Sequence, residues 1–237
     1  MKSPERLKLL VFDLDGTLAD TRQDLALSVN HALGVVGYSS LPLETVIGFV
    51  GDGARNLLTR SLIASGGAVE GNARSGEVDE ALAAFLEHYR THCLAETRTY
   101  TGVQESLLKL ADYRKAVLTN KPSAPARAIL EGLGLAAHFR TVLGGDNPYG
   151  QKPDPAGLRH IIETEGATPE TTLMIGDGIQ DLQAAKRAGT HFLGYLGGMG
   201  SPAALLAGNP EATFNDMYRL PKAIFNLEAA AALKGSP

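Results

Sequence analysis

The chain has 237 residues and a formal net charge of −4, with a pI near 5.9. That balance offers no basic face for nucleic acid, and the single cysteine, Cys93, excludes an internal disulfide framework. With 44% hydrophobic and 20% charged residues, the composition is that of a globular protein large enough to bury its own core. No apolar run reaches the length of a membrane span. The first apolar run, 9–12, is cut by Asp13 and cannot serve as a signal peptide. The expectation is a soluble cytoplasmic protein with no nucleic-acid or membrane partner.

Along the chain, short apolar runs ending in Gly, Asp, Asn or Pro alternate with helical patterns. The first predicted strand covers 7–12. Helical spacing follows at 24–36, 54–64 and 78–95, with a Gly-rich link at 65–76. Then come a strand at 114–118, a helix at 122–131, a strand at 141–143 and a helix at 155–165. The last group is a strand at 172–175, a helix at 179–188, a strand at 191–196 and an Ala-rich helical tail from 217. Strands that alternate with helices build a parallel sheet covered on both faces, here a doubly wound, Rossmann-like α/β core. The strandless helical interval at 21–97 reads as an inserted cap, leaving 1–20 and 98–237 as the catalytic core. Sites in open α/β sheets lie at the carboxyl ends of strands. An insertion after the first strand therefore sits over the site as a lid.

The first strand ends in Asp13-Leu14-Asp15-Gly16-Thr17. Carboxylates two residues apart on extended backbone point the same way and repel unless a cation or a proton intervenes. A plain Asp-Gly turn would give the same letters. A later strand ends in Gly176-Asp177-Gly178, and Asp181 follows in the first turn of a helix, where an acid also complements the helix dipole. Four acids at the ends of two parallel strands suit Mg²⁺, which takes carboxylate oxygens and keeps several waters. Thr119-Asn120-Lys121-Pro122 offers a hydroxyl and backbone N–H groups at a helix start, a setting for phosphate or for simple capping. Lys152, in Lys152-Pro153-Asp154-Pro155, is a point charge for phosphate or a solvated surface lysine. Asp154 is placed to cap the helix that follows. Together these residues suit phosphoryl transfer: a carboxylate nucleophile, cations and donors for the equatorial oxygens, and a second acid for the leaving oxygen.

Asp13-x-Asp15-Gly16-Thr17, Thr119, Lys152 and Asp177-x-x-x-Asp181, in this order, resemble the haloacid dehalogenase superfamily of phosphatases. The resemblance implies Asp13 as nucleophile and Asp15 as general acid/base. It places Mg²⁺ on Asp13, the Asp15 carbonyl and Asp177, with Asp181 anchoring the site, and the phosphoryl group on Thr119, Asn120 and Lys152. Phe12 to Leu18, Gly48 to Ala54, Leu118 to Pro122 and Lys152 to Pro155 are similar to the superfamily's phosphoglycolate phosphatase group. Thr101 and Gly178 depart from that group, which often has Pro and Ser there. The interval 21–97 contains no lysine, which removes the Schiff-base nucleophile of phosphonate hydrolases and the cap lysine of sugar-phosphate mutases. Arg55, after the Gly51-Asp52-Gly53 turn, is the candidate for gripping a substrate carboxylate, since Arg suits bidentate pairing; a solvated helix arginine is the plainer reading.

The expected partner is a small phosphorylated metabolite, handled by a monomer or a homodimer. Competing readings are a phosphatase of the same chemistry for pyrophosphate, sugar phosphates or nucleotides, a phospho-accepting receiver-like module, and an inactive binding protein. His88 and His92, at zinc-compatible helical spacing beside Cys93, lack further ligands in any motif, and zinc is not expected.

Overall fold

The run Leu9-Leu10-Val11-Phe12 is apolar at every position, as a strand covered on both faces must be. In the computed structural model, which describes residues 6–66 and 75–234, it forms the wholly buried strand β1 (Leu9–Phe12). The two-residue strand β2 (Ala19–Asp20) follows, then α1 (Arg22–Val35), α2 (Leu43–Ile47), α3 (Ala54–Ala64), α4 (Ser75–His92) and a second two-residue strand, β3 (Arg98–Thr99). The remainder is α5 (Val103–Lys109), β4 (Arg114–Leu118), α6 (Ser123–Gly132), β5 (Thr141–Leu143), α7 (Ala156–Thr164), β6 (Thr172–Gly176), α8 (Ile179–Ala188), β7 (His191–Tyr195), α9 (Pro202–Ala207), β8 (Ala212–Phe214) and α10 (Leu220–Lys234).

Six strands form one sheet in the order β5-β4-β1-β6-β7-β8, and every neighbouring pair is parallel. The doubly wound α/β architecture is therefore as the alternation implies. Strand alternation divides the interior. Leu10, Phe12, Val117, Leu173 and Ile175 face one core, while Leu9, Val11, Ala116, Leu118 and Met174 face the other. The first core continues through Leu14 and Leu18 into Leu25, Val29 and Leu33 of α1, Leu57 and Leu58 of α3, and Phe85 and Tyr89 of α4. Helices α1 to α4 thus pack on each other and on the sheet side of the molecule.

Register sets the site. Phe12 lies opposite Val117 of β4 and Ile175 of β6. The residues just beyond these strands, Asp13, Thr119 and Asp177, emerge together at the carboxyl edge, where the winding turns from β4 on one side of β1 to β6 on the other.

Several elements differ from expectation. Strand β8, not expected from the sequence, extends the sheet by three residues that pair with Leu193, Gly194 and Tyr195. Strands β2 and β3 pair antiparallel where the helical interval begins and ends. The predicted helix 78–95 closes at His92, and the tail opens on a 3-10 turn, Met217–Arg219, before α10. The short helices α2, α5 and α9 lie within predicted loops. Residues 67–74 of the expected Gly-rich link lie outside the described residues. Among the described residues, no helix is long and apolar enough to cross a membrane.

Candidate active site

Three acids converge at the sheet edge. Ligand-capable oxygens of Asp13, Asp177 and Asp181 all lie within 4.8 Å of one another. Each is fixed by its local fold. Asp13 follows β1, its N–H bonded to the Ile175 carbonyl, and its Oδ1 accepts from the Leu14 N–H at 2.7 Å. Asp177 follows β6. Its Oδ1 accepts from the Thr17 hydroxyl at 2.9 Å, and its Oδ2 accepts from the N–H groups of Met199 and Gly200, each at 2.8 Å. Asp181 stands in the first turn of α8 and accepts from the Gly178 N–H at 3.0 Å. Gly16 is required where it stands. Its φ is +85°, and a Cβ there would collide with the Asp177 carboxylate.

Lys152 is the cation of this group. Its Nζ lies 2.7 Å from Asp13 Oδ1 and 2.6 Å from Asp181 Oδ1, with the side chain 2% exposed. Of the two readings open for this lysine, the surface one is removed. One ammonium against three carboxylates leaves the group short of positive charge. Burial, then the neighbouring Asp181, pushes the Asp13 carboxyl up to about 7 despite Lys152. Burial and Asp13 push Asp177 up to about 6 against its three donors. Burial also raises Asp181, with Lys152 opposing. Burial works against the charged form of Lys152, yet Asp13 and Asp181 hold it above the usual lysine range. A buried set of hard oxygen donors with excess negative charge fits a divalent cation.

The Asp15 carboxylate stands apart from these three acids. The Thr21 hydroxyl donates to it at 2.6 Å and Lys121 Nζ lies 3.1 Å away, so its side chain is turned from the metal-competent oxygens. Of the expected metal set, only Asp13, Asp177 and Asp181 converge through their carboxylates. Thr119 lines the adjoining cavity, and its hydroxyl accepts from the Lys121 N–H at 3.2 Å.

Two residues expected at the substrate have side chains engaged elsewhere. Both N–H groups of the Asn120 amide are engaged, by the carbonyls of Gly51 and Lys152 at 2.8 Å each, and its oxygen accepts from the Lys152 N–H. Its side chain positions Lys152 rather than facing an anion. Arg55 pairs with Asp79 of α4 at 2.6 Å on the exposed surface and lines neither cavity at the site. The turn before α3 points it outward.

Two small cavities meet at Asp13, Asp15, Val50, Gly51 and Lys152. One, of about 40 Å³, reaches Asp177 and Asp181. The other, of about 70 Å³, extends beneath α3 and α4 and is walled by Leu57, Phe85 and Tyr89. At roughly 10–15 Å³ per water, both are cavities for small molecules. The helical interval is tied over them by Asn120 to Gly51 and by Gln180 Nε2 to Asp52 Oδ1 at 2.9 Å. Lys121 and Tyr89, both buried at this site, were not singled out from sequence; Lys121 stood within a quoted motif, but a tyrosine in an amphipathic helix carries no signal beyond core packing. His88 stacks on His31 and on His92, its Nδ1 bonded to Ser28, while Cys93 is buried.

Comparison with known proteins places this geometry. The family model for haloacid dehalogenase-like hydrolases matches residues 10–195. A phosphoglycolate phosphatase from Psychrobacter arcticus is 36% identical over 215 residues, covering 90% of this chain and 94% of its own. One from Colwellia psychrerythraea is 39% identical over 205 residues, covering 84% and 88%. The crystal structure of a predicted phosphoglycolate phosphatase from Haemophilus somnus superposes with a TM-score of 0.84 at 31% identity, covering 92% of this chain and 98% of that one.

Proposed function

The chain belongs to the haloacid dehalogenase-like hydrolases and is a phosphatase, and on that premise we propose that it hydrolyses phosphoglycolate with Mg²⁺, through a phosphoryl-aspartate formed on Asp13. The observation that carries the chemistry is the convergence of Asp13, Asp177 and Asp181 on Lys152 beside a cavity under α3 and α4. The named relatives support the substrate.

Asp13, Asp177 and Asp181 are the side chains that would hold Mg²⁺, together with the Asp15 carbonyl. The ion would neutralise phosphoryl oxygens and let an anionic carboxylate approach an anionic ester. Asp13 attacks phosphorus and the bond to the glycolate oxygen breaks. Lys152, fixed by Asp13, Asp181 and the Asn120 clamp on its backbone, neutralises charge on the equatorial oxygens without reorganising. The Thr119 hydroxyl is placed to add a donor. Asp15 protonates the departing oxygen and then takes a proton from the water that cleaves the acyl phosphate, which restores Asp13 and releases phosphate. Residues 21–97 serve as the cap, excluding bulk water while Asp13 is phosphorylated.

The test is phosphate release from 2-phosphoglycolate, pyrophosphate, sugar phosphates, a nucleotide and p-nitrophenyl phosphate, each with Mg²⁺ and with chelator. The expected result is a strong preference for phosphoglycolate, abolished by chelator and by Asp13→Asn. Even activity across the panel would discard the substrate. Full activity in a folded Asp13→Asn protein would discard the mechanism.

A further inference from the structure

We propose that Lys121 and Tyr89 together form a receptor for a second anionic group of the substrate, a carboxylate carried one short link from the phosphate. The inference rests on the phosphatase reading above and names what selects the substrate at that site.

Lys121 lies in the turn between β4 and α6 and takes no part in the Asp13–Lys152 constellation. Its side chain is 4% exposed. Its Nζ donates to the Tyr89 hydroxyl at 2.9 Å, lies 3.1 Å from Asp15 Oδ1, and sits 4.5 Å from the centroid of the Tyr89 ring. Burial works against its charge, but Asp15 and Tyr89 hold the ammonium above the usual lysine range. An ammonium has three donors, and these two contacts engage two of them. Tyr89 accepts from Lys121, so its own O–H is left to donate. Both residues line the cavity of about 70 Å³. Lys121 and Lys152 are the cationic side chains among its lining residues, and Lys152 already belongs to the reacting end.

Beyond Asp13 and Asp15 at the reacting end, the rest of this cavity is mostly apolar. Leu25, Leu57, Phe85 and Leu86 give it apolar walls, where a charged hydrogen bond is stronger than in water. Arg55, the other candidate for a carboxylate, faces Asp79 outside. Tyr89 comes from α4 and Lys121 from the sheet edge, so a carboxylate held by both would bridge the helical interval and the core.

The test uses two non-hydrolysable ligands, phosphonoacetate, which carries the carboxylate, and methylphosphonate, which lacks it. Their dissociation constants are measured by calorimetry in Mg²⁺ for wild type, Lys121→Met and Tyr89→Phe. Wild type should prefer phosphonoacetate by roughly tenfold or more, the size of a charged hydrogen bond. The preference should collapse to about twofold in Lys121→Met and fall by about threefold or more in Tyr89→Phe, which loses one of the donors. Should Lys121→Met fail to fold, because Asp15 loses its cation, Tyr89→Phe keeps the Lys121–Asp15 pair and decides alone. A wild type indifferent to the carboxylate, a preference unchanged in Tyr89→Phe, or a Lys121→Met protein that weakens both ligands equally overturns the proposal. Turnover of phosphoglycolate is read separately. Discrimination without turnover keeps the receptor and discards the substrate, while turnover without discrimination does the reverse.

Discussion

Arg55 and Lys152 show how differently one charged residue can be placed by its surroundings. Arg55 follows Gly53 at the start of α3, and the helix turns its guanidinium to Asp79, with both side chains about 60% exposed. Exposed pairs of this kind contribute about 0–1 kcal/mol. Because Arg55 also lines neither cavity at the site, Arg55→Ala should leave KM for phosphoglycolate essentially unchanged. A KM rise of tenfold or more in steady-state kinetics would return Arg55 to the site. Lys152 has no such freedom. The Asn120 side chain grips its N–H and carbonyl, and two carboxylates hold its ammonium. The acids and Lys152 were legible in the sequence because each stands just past a strand end, in the first turn of a helix or in a Pro-flanked segment, where local pattern fixes direction. The Lys121–Tyr89 pair and the Asn120 clamp were not. They join residues 32 apart in the chain, and nothing short-range encodes which side chains meet across that gap.

At the scale of elements, the helical interval begins and ends at the joint between α1 and β3. Thr21, just before α1, gives its hydroxyl to Asp15 rather than to the helix. Asp24, in the first turn, is wholly buried and accepts from the N–H groups of Glu96 and Thr97 and from the Thr97 hydroxyl. One carboxylate thus satisfies the helix dipole and clasps the returning chain beside the two-strand ribbon. Asp24→Ala would leave the Thr97 N–H and hydroxyl buried without a partner. The expected loss is about 3 kcal/mol of unfolding free energy, since each orphaned group costs about 1–3 kcal/mol. Urea denaturation measures it, and a loss below about 0.5 kcal/mol, the level of a neutral surface change, would show that the clasp carries no stability. The major strands and helices were readable from periodicity, and their predicted ends fall within a few residues of those observed. The ribbon was not, because two residues per strand cannot display an alternation. Their pairing is decided by what the rest of the chain brings beside them.

For the whole molecule, the consequence of gathering buried acids at one sheet edge is a stability that depends jointly on pH and metal. Without a cation, Asp13 and Asp177 titrate near 7 and 6 in the folded chain, against about 3.9 for an unfolded aspartate. Between about pH 4 and 7 the folded protein therefore holds protons that the unfolded chain has released. Stability contributed by these groups is then fully present below the unfolded value and is lost as pH rises through the folded values. His88 and His138, lowered mainly by burial, act in the opposite sense between those pH values, since the unfolded chain binds their protons more readily. A bare pH scan of thermal unfolding would mix the two effects. The shift in melting temperature that Mg²⁺ produces separates them, because the histidines lie outside the acid cluster and contribute equally with and without metal. Mg²⁺ needs the ionised carboxylates and must displace their protons at low pH. With Asp13 near 7, the proton at pH 5 weakens metal binding by at least on the order of 100-fold relative to pH 7.5. The Mg²⁺-induced rise in melting temperature should accordingly be large at pH 7.5 and nearly absent at pH 5 at the same millimolar metal. In Asp13→Asn, which has no carboxyl to deprotonate at that position, the rise should be smaller at pH 7.5 and depend less on pH. An equal rise at both pH values in wild type would mean that these acids are ionised throughout, and that burial at the sheet edge does not hold their protons.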